Sequence, residues 1–298
     1  MAEAKSSATK QARGEKPESG KGPRPDFATL GGLALAVIGI LGGLVLEKGS
    51  VQDVAQITAA LIVLGGTLGA VLVTTPLPIF LRAVKGLHQV FLEPGAQVSE
   101  MIDTLTGLAT LARKGGIVGL ELEVPRISDP FMRKALNLAI DGTNLTDLRN
   151  MMETDIEVGE QAEEQIARVW ESAGGYAPTI GIIGAVLGLI QVMKNLDDIK
   201  EVGHGIAVAF VATVYGVGSA NILFLPFASK IRARIERTRI LKQMTLEGMA
   251  GIVEGLNPSL IRLKLAVFNP ETSPAQKVSK EQVRASARRV SSVSASGV

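Results

Sequence analysis

The chain has 298 residues, 46% of them apolar, with a formal net charge of +2 and two histidines. It contains no cysteine, which excludes disulfides, thiolate metal sites and haem attachment. The near-neutral sum hides a segregated pattern: uncharged runs of 20, 28, 22 and 25 residues occupy Phe27 to Leu46, Val54 to Leu81, Ser172 to Met193 and Gly205 to Ser229. About 20 apolar residues cross a hydrocarbon core, so these runs predict four membrane spans and exclude an ordinary soluble fold.

In chain order, residues 1–26 are rich in Lys, Glu, Ser, Gly and Pro and read as a disordered tail. The "SGKG" inside it is no phosphate loop, because the earlier glycine is wrongly spaced, no Ser or Thr follows the lysine and no strand precedes it. The first apolar run exceeds the roughly 7 to 15 residues of a signal-peptide core. It leads into "EKGSVQD" rather than a cleavage site, so it reads as a retained span. Spans 1 and 2 together occupy residues 27–81.

Residues 82–171 differ, because apolar side chains recur at helical spacing: Met101, Leu105, Leu108 and Ala112, then Val158, Ala162, Ile166 and Val169. Breaks are expected at "EPG" (93–95), "KGG" (114–116), "SDP" (128–130) and "DGTN" (141–144). This stretch reads as a packed helical domain with 15 acidic residues against nine basic. Spans 3 and 4 follow within 172–229. Residues 230–270 continue in helical register, with Ile231, Ile235, Leu241, Met249 and Ile252 near one side, and are expected to pack on that domain until "GLNP" ends the helix. Residues 271–298 read as a second disordered tail. The expected fold is an all-α integral membrane protein: four transmembrane helices with a helical cytoplasmic domain between spans 2 and 3.

Of 31 Lys and Arg residues, three lie in the short loops 47–53 and 194–204. The positive-inside rule therefore places both termini and the long loop in the cytoplasm. Basic residues at that membrane face are accounted for by membrane lipid and call for no nucleic acid. His88 and His204 stand apart from any ligand-like spacing, and no metal or cofactor is expected.

Spans 3 and 4 hold the distinctive chemistry. Pro178 and Pro226 fall toward the same membrane face because the two helices run in opposite directions, and they free the carbonyls of Gly174 and Ile222. Small residues recur at three- and four-residue spacing: Gly181, Gly184, Ala185 and Gly188 in one span, Ala209, Ala212, Gly216 and Ala220 in the other. Such faces let helix backbones approach closely. Thr213, Tyr215, Ser219 and Asn221 add polar groups to span 4. No Asp, Glu, Lys, Arg or His lies well inside any span, although a proton relay normally needs such a group, so ion movement would require a partner that supplies it.

"GGYAPTIGIIGAVLGLI" followed by "GIAVAFVATVYGVGSANILFLPFASKI" resembles the third and fourth spans of the flagellar-stator branch of the MotA/TolQ/ExbB proton-channel family. "GGLVLEKGS", "LGGTLGAVLVTTPL" and "EGMAGIVEGLNPSLIRLKLAVF" are similar to it as well. Four spans with the large loop after the second favour that branch over the three-span ExbB and TolQ branches. The resemblance implies a homo-oligomeric ring, of five copies, around a MotB-like single-span subunit anchored to peptidoglycan, whose transmembrane aspartate carries the proton. It assigns Pro178, Pro226 and Thr213 to the ion path. Ala185 stands where sodium-driven members carry a second threonine, which favours protons. It also implies that Arg113, Lys114 and Glu121, in "LARKGGIVGLELE", meet the flagellar rotor's switch-complex protein. Rival readings are an ExbB- or TolQ-like energiser of envelope transport and a passive oligomeric scaffold.

Overall fold

The computed structural model describes residues 24–93 and 98–269. Apart from one antiparallel pair joining Arg24–Pro25 to Leu92–Glu93, the described chain is helices and connecting turns. Four helical stretches are long and apolar enough to cross a membrane: Phe27–Leu46, Val51–Thr74, Leu145–Lys194 and Ile199–Val253. The last two extend far beyond a bilayer's thickness, at 50 and 55 residues, and carry their outer turns into a charged helical body.

Span 1 starts at a well-built cap. Asp26 accepts the backbone N–H and the hydroxyl of Thr29, both at 3.0 Å, and its own N–H donates to the Phe91 carbonyl at 2.9 Å. Its carboxylate also pairs with Lys230 at the end of span 4. The Lys230 hydrogen bond, with help from the Thr29 N–H, lowers the Asp26 pKa from 3.8 to about 2. Residues 24–26, assigned from sequence to the disordered tail, thus tie span 1 to the turn at Phe91 and to span 4. The earlier residues, including "SGKG", and the tail from 270 lie outside the described residues. No residue of span 1 itself is buried by the rest of the chain.

Span 2 is more broken than its uninterrupted apolar composition suggests. A first turn, Val51–Val54, is closed by a capping box between Ser50 and Asp53, and then Ala55 and Gln56 leave helical geometry. A carbonyl freed inside a bilayer must find a donor. The Tyr215 hydroxyl of span 4 supplies one to Val54 at 2.5 Å. The helix resumes at Ile57, widens into a π turn over Leu61–Gly65 and stops at Thr74. Pro76 then opens a separate amphipathic helix, Leu77–Gly86, so the 28-residue run is spread over three helical pieces.

The body is one core built from distant segments. Leu105 and Leu108 of Val98–Gly115, Leu136 of Pro130–Ile140 and Met152 of the third-span helix pack with Met249 of the fourth-span helix and Ile261 of Pro258–Ala266. The local stop codes position these pieces. Gly116, Gly142 and Gly255 take positive φ of 78°, 76° and 71°, which a residue without Cβ adopts at little cost. Asp129, Asn144 and Asn257 cap the helices that follow. Of the expected breaks, "EPG" falls largely on residues outside those described.

Glu247 ties this core together, accepting from Arg149 at 2.8 Å and from Lys264 at 2.5 Å. The Arg149 hydrogen bond, then that from Lys264, holds its pKa at about 2 against a usual 4.5, with burial opposing. A depressed carboxyl pKa stabilises the fold above about pH 4.5 and loses that contribution as pH falls toward 2. Glu247→Gln is therefore expected to cost about 1–3 kcal/mol at neutral pH. The loss should shrink on acidification, checked by thermal melting of the full chain in detergent at pH 7 and pH 3. An unchanged pH dependence in the variant would remove this ion triad from the account.

Candidate functional site

Spans 3 and 4 form an antiparallel hairpin whose backbones nearly touch. A Cβ placed on Gly181 would lie 2.9 Å from the Ala212 carbonyl oxygen, and one on Gly216 would lie 2.6 Å from that of Ala177. At the short-loop end, a Cβ on Gly188 would lie 2.8 Å from the Gly205 oxygen. The small residues counted from sequence therefore pack against one another within this chain. Span 2 lies across the same helix, with Ile62 against Gly184 and Ile180 against Gly66.

This packing sets the height of each expected ion-path residue. Gly184 meets Ala212, so Ala185 and Thr213, one step away in opposite directions along antiparallel helices, lie within about 3 Å of one another in height. Both are half-buried. The Thr213 hydroxyl donates to the Ala209 carbonyl at 3.2 Å, which leaves its oxygen lone pairs open to a water or an ion. Pro178 lies seven residues before Ala185, two helical turns away on the same face. The two proline regions meet: Leu225, beside Pro226, packs its side chain where a Cβ on Gly174 would stand, at 2.6 Å. That contact is about 17 Å nearer the charged body than the Ala185 and Thr213 level.

The prolines act on their helices differently. The third-span helix runs without interruption through Pro178 from Leu145 to Lys194, so the break expected there is a missing hydrogen bond within a continuous helix. Around Pro226 the ladder does change. Ala220–Phe224 is a π turn, and the Leu225 N–H donates to the Ala220 carbonyl five residues back. The turn before a proline cannot close its usual bonds, and a widened turn accommodates that. The other polar groups of span 4 bond to backbone: Ser219 to Gly216 at 3.3 Å, Asn221 to Val217 at 2.9 Å, and Tyr215 to span 2.

Two features beside the prolines escaped the sequence reading. An aromatic cluster joins the helices: Trp170 stacks on Phe224 at 6.2 Å and meets Phe227 edge-on at 5.9 Å, and Phe91 meets Phe227 at 5.8 Å. Just beyond it, Arg232 donates to Glu171 at 3.0 and 2.5 Å and to Glu164 at 3.1 and 3.0 Å. These bonds raise the Arg232 pKa, and the Arg232 hydrogen bond lowers that of Glu171. The helices are thus clamped immediately outside the apolar runs and carry their irregularities inside. The available signal was the seven-residue spacing of Glu164 and Glu171, which puts two acids on one helix face.

Arg113 and Lys114 occupy the last turn of Val98–Gly115, and Glu121 lies in the 3₁₀ segment Val118–Arg126 beyond the turn at Gly116. All three are exposed at this corner of the body, which fully buried Leu120 anchors. Val118 and Leu122 are exposed beside them. His204 is exposed, and among the described residues no group of His, Cys, Asp and Glu is placed to hold a metal.

The architecture is that of a multi-pass membrane protein whose last two spans make an uncharged, close-packed hairpin rooted in a charged helical body. Residues 123–244 match the MotA/TolQ/ExbB proton channel family, and residues 30–116 match the Motility protein A N-terminal family. Among similar proteins, Motility protein A of Helicobacter pylori is 38% identical over 240 residues, covering 80% of this chain and 93% of that one. Motility protein A of Bacillus subtilis is 33% identical over 247 residues, covering 82% and 91%. The solved C. jejuni MotAB structure superposes with a TM-score of 0.79 at 32% identity, covering 84% of this chain and 98% of the other. The chain belongs to the MotA/TolQ/ExbB proton channel family, which is not a family of enzymes.

Proposed function

We propose that this chain is a stator subunit of the bacterial flagellar motor, a multi-pass inner-membrane protein that forms an ion channel with a MotB-like partner and converts ion flow into torque. The carrying observation is the hairpin itself: close-packed, widened into a π turn before Pro226 and free of Asp, Glu, Lys, Arg and His along the uncharged runs of both spans. A bare charge at the bilayer centre costs about 2.5–3.5 kcal/mol even on the mildest scale. A carboxylate on a single-span, peptidoglycan-anchored partner could titrate there only against a wall that supplies polar atoms and room for water. Thr213 supplies the polar atom, and Pro178 and Pro226 supply freed carbonyls. A homo-oligomer, a pentamer in this reading, repeats that wall around the partner, with both termini and the charged body in the cytoplasm.

Ala185 bears on the ion. Stripping water from sodium takes several oxygen ligands, and a methyl group offers none at the level where Thr213 stands alone; a proton needs only water and the partner's carboxylate. One elementary charge moving through about 100 mV releases about 2.3 kcal/mol. That is enough to bias steps between nearly equivalent ring positions, provided the hairpin deforms cheaply. Torque would leave through Arg113, Lys114 and Glu121 to the rotor's switch-complex protein, a role consistent with exposed charges on a corner anchored by Leu120.

Reconstitution into liposomes of the chain with its partner, freed of any plug segment, tests this reading. Proton flux is expected with both proteins present, unaffected by removing sodium, and absent with this chain alone. Arg113→Glu should leave that flux intact while stopping rotation in cells. Flux through the chain alone, or flux that needs sodium, would overturn the proposal or its choice of ion.

A further inference from the structure

Beneath spans 2 to 4, on the side of the charged body, lies a cavity of about 920 Å³ that the channel reading leaves unused. Three separate stretches enclose it: the amphipathic helix Leu77–Gly86 with the turn after it, the third-span helix from Ile156 to Ile166, and the fourth-span helix from Ile231 to Lys242. Its floor is apolar, with Val90, Ile156, Ile166, Ile231 and Ile235. Arg82, Lys85, Arg234, Arg237, Arg239 and Lys242 bring six positive charges to its walls, against the carboxylates of Glu160 and Glu163. Those carboxylates are engaged by Arg239 and Arg82, each at 3.6 Å. Among the described residues no carboxylate pairs with Lys85 or Lys242, the latter lying over the Phe131 ring at 5.3 Å.

Lys85 and Lys242 offer positive charge to an anion, and the setting selects its source. The cavity starts two residues beyond the uncharged end of span 4 at Ser229 and runs about 16 Å down that helix. Leu77, Leu81 and Val84 of the amphipathic helix are exposed beside it, as on a helix lying in a membrane interface. Residues 1–23 hold five basic and three acidic side chains and residues 270–298 hold five and two, so neither terminal segment brings a net negative charge. Basic cavities between helices at this membrane face suit phosphate headgroups. We propose that this cavity binds the phosphate headgroup of an anionic phospholipid from the adjoining leaflet, with Lys85 and Lys242 as its cationic ligands and the apolar floor under the glycerol portion. The site would brace the long helices just outside the Arg232 clamp.

The proposal rests on the membrane placement of the spans but not on ion conduction, so lipid binding and proton flux can fail separately. The test uses the complex of this chain with its partner, delipidated in detergent and titrated with cardiolipin, phosphatidylglycerol or phosphatidylethanolamine, bound lipid being read by native mass spectrometry. Anionic lipids should bind at least tenfold more tightly than phosphatidylethanolamine. Lys85→Ala and Lys242→Ala should each weaken them about fivefold. Lys200→Ala, on the opposite membrane side, should not, and the melting temperature should confirm that each variant is folded. Equal retention of the three lipids would overturn the proposal, as would folded Lys85 and Lys242 variants that bind normally. Competition by millimolar inorganic phosphate or ATP that occupies the cavity as readily without lipid would also overturn it, in favour of a soluble ligand.

Discussion

Gly216→Val is expected to abolish the folded hairpin of spans 3 and 4, and with it any assembly with a partner. The contact that forbids a side chain there is backbone: an added Cβ would lie 2.6 Å from the Ala177 oxygen and 2.9 Å from the Gly181 Cα. Side-chain neighbours can swing aside, but two helix backbones can only separate, and separation also loses the crossings at Gly181 and Gly188. Overpacking a tight core costs about 1–3 kcal/mol where neighbours can adjust. Gly216→Ala should already reach the upper part of that range, and valine should exceed it. In lipid no hydrophobic force pulls the helices back, because association there depends on close van der Waals packing. Gly218→Ala, on the same helix with nothing within 4 Å of the added atom in this chain, should leave the chain's own melting temperature unchanged. The check is yield, monodispersity and thermal melting of each variant in detergent. A Gly216→Val protein that melts like the parent would mean that the hairpin does not rest on this crossing.

The legible parts of this protein are those written in local codes. Spans follow from the absence of charge, and the caps at Asp129, Asn144 and Asn257 follow from single residues placed before helical periodicity. The small faces of spans 3 and 4 were visible too, but sequence left open whether they met each other, a second copy or a pore; the Gly181, Ala212 and Gly216 contacts answer that for this chain. Span 2 misled because its break at Ala55 and Gln56 uses no glycine or proline, and what sustains it is a tyrosine 161 residues further along the chain. The π turns left no trace, since a bond to the fifth residue requires no particular side chain. Asp26 read as the last residue of a polar tail because its partners, Lys230 and the Phe91 carbonyl, are remote in the chain. The basic cavity is assembled from three segments, none of which is unusual alone.

Replacing Pro178 or Pro226 by alanine should leave the complex assembled and stop it working. A proline inside an ordinary helix costs about 3 kcal/mol relative to alanine, so each substitution should hold or raise thermal stability. At Pro178 alanine would return an N–H to the Gly174 carbonyl within a helix that is already continuous. At Pro226 it would remove the reason for the Ala220–Phe224 π turn and allow regular bonding up to Leu225. Both changes stiffen the same place, because Gly174 and Leu225 pack together. Just beyond lies the Arg232, Glu164 and Glu171 clamp, which already holds the helices together outside the membrane. Deformation is then confined to the segment between the clamp and the glycine crossings, and only the proline defects keep it cheap. One charge crossing about 100 mV supplies about 2.3 kcal/mol, less than the cost of breaking two regular helix bonds in lipid. The expected result is complexes of parental yield and equal or higher melting temperature, with swimming lost and proton flux sharply reduced. Swimming at parental speed in either alanine variant would show that the defects are packing accommodations and that the work of the ion is spent elsewhere.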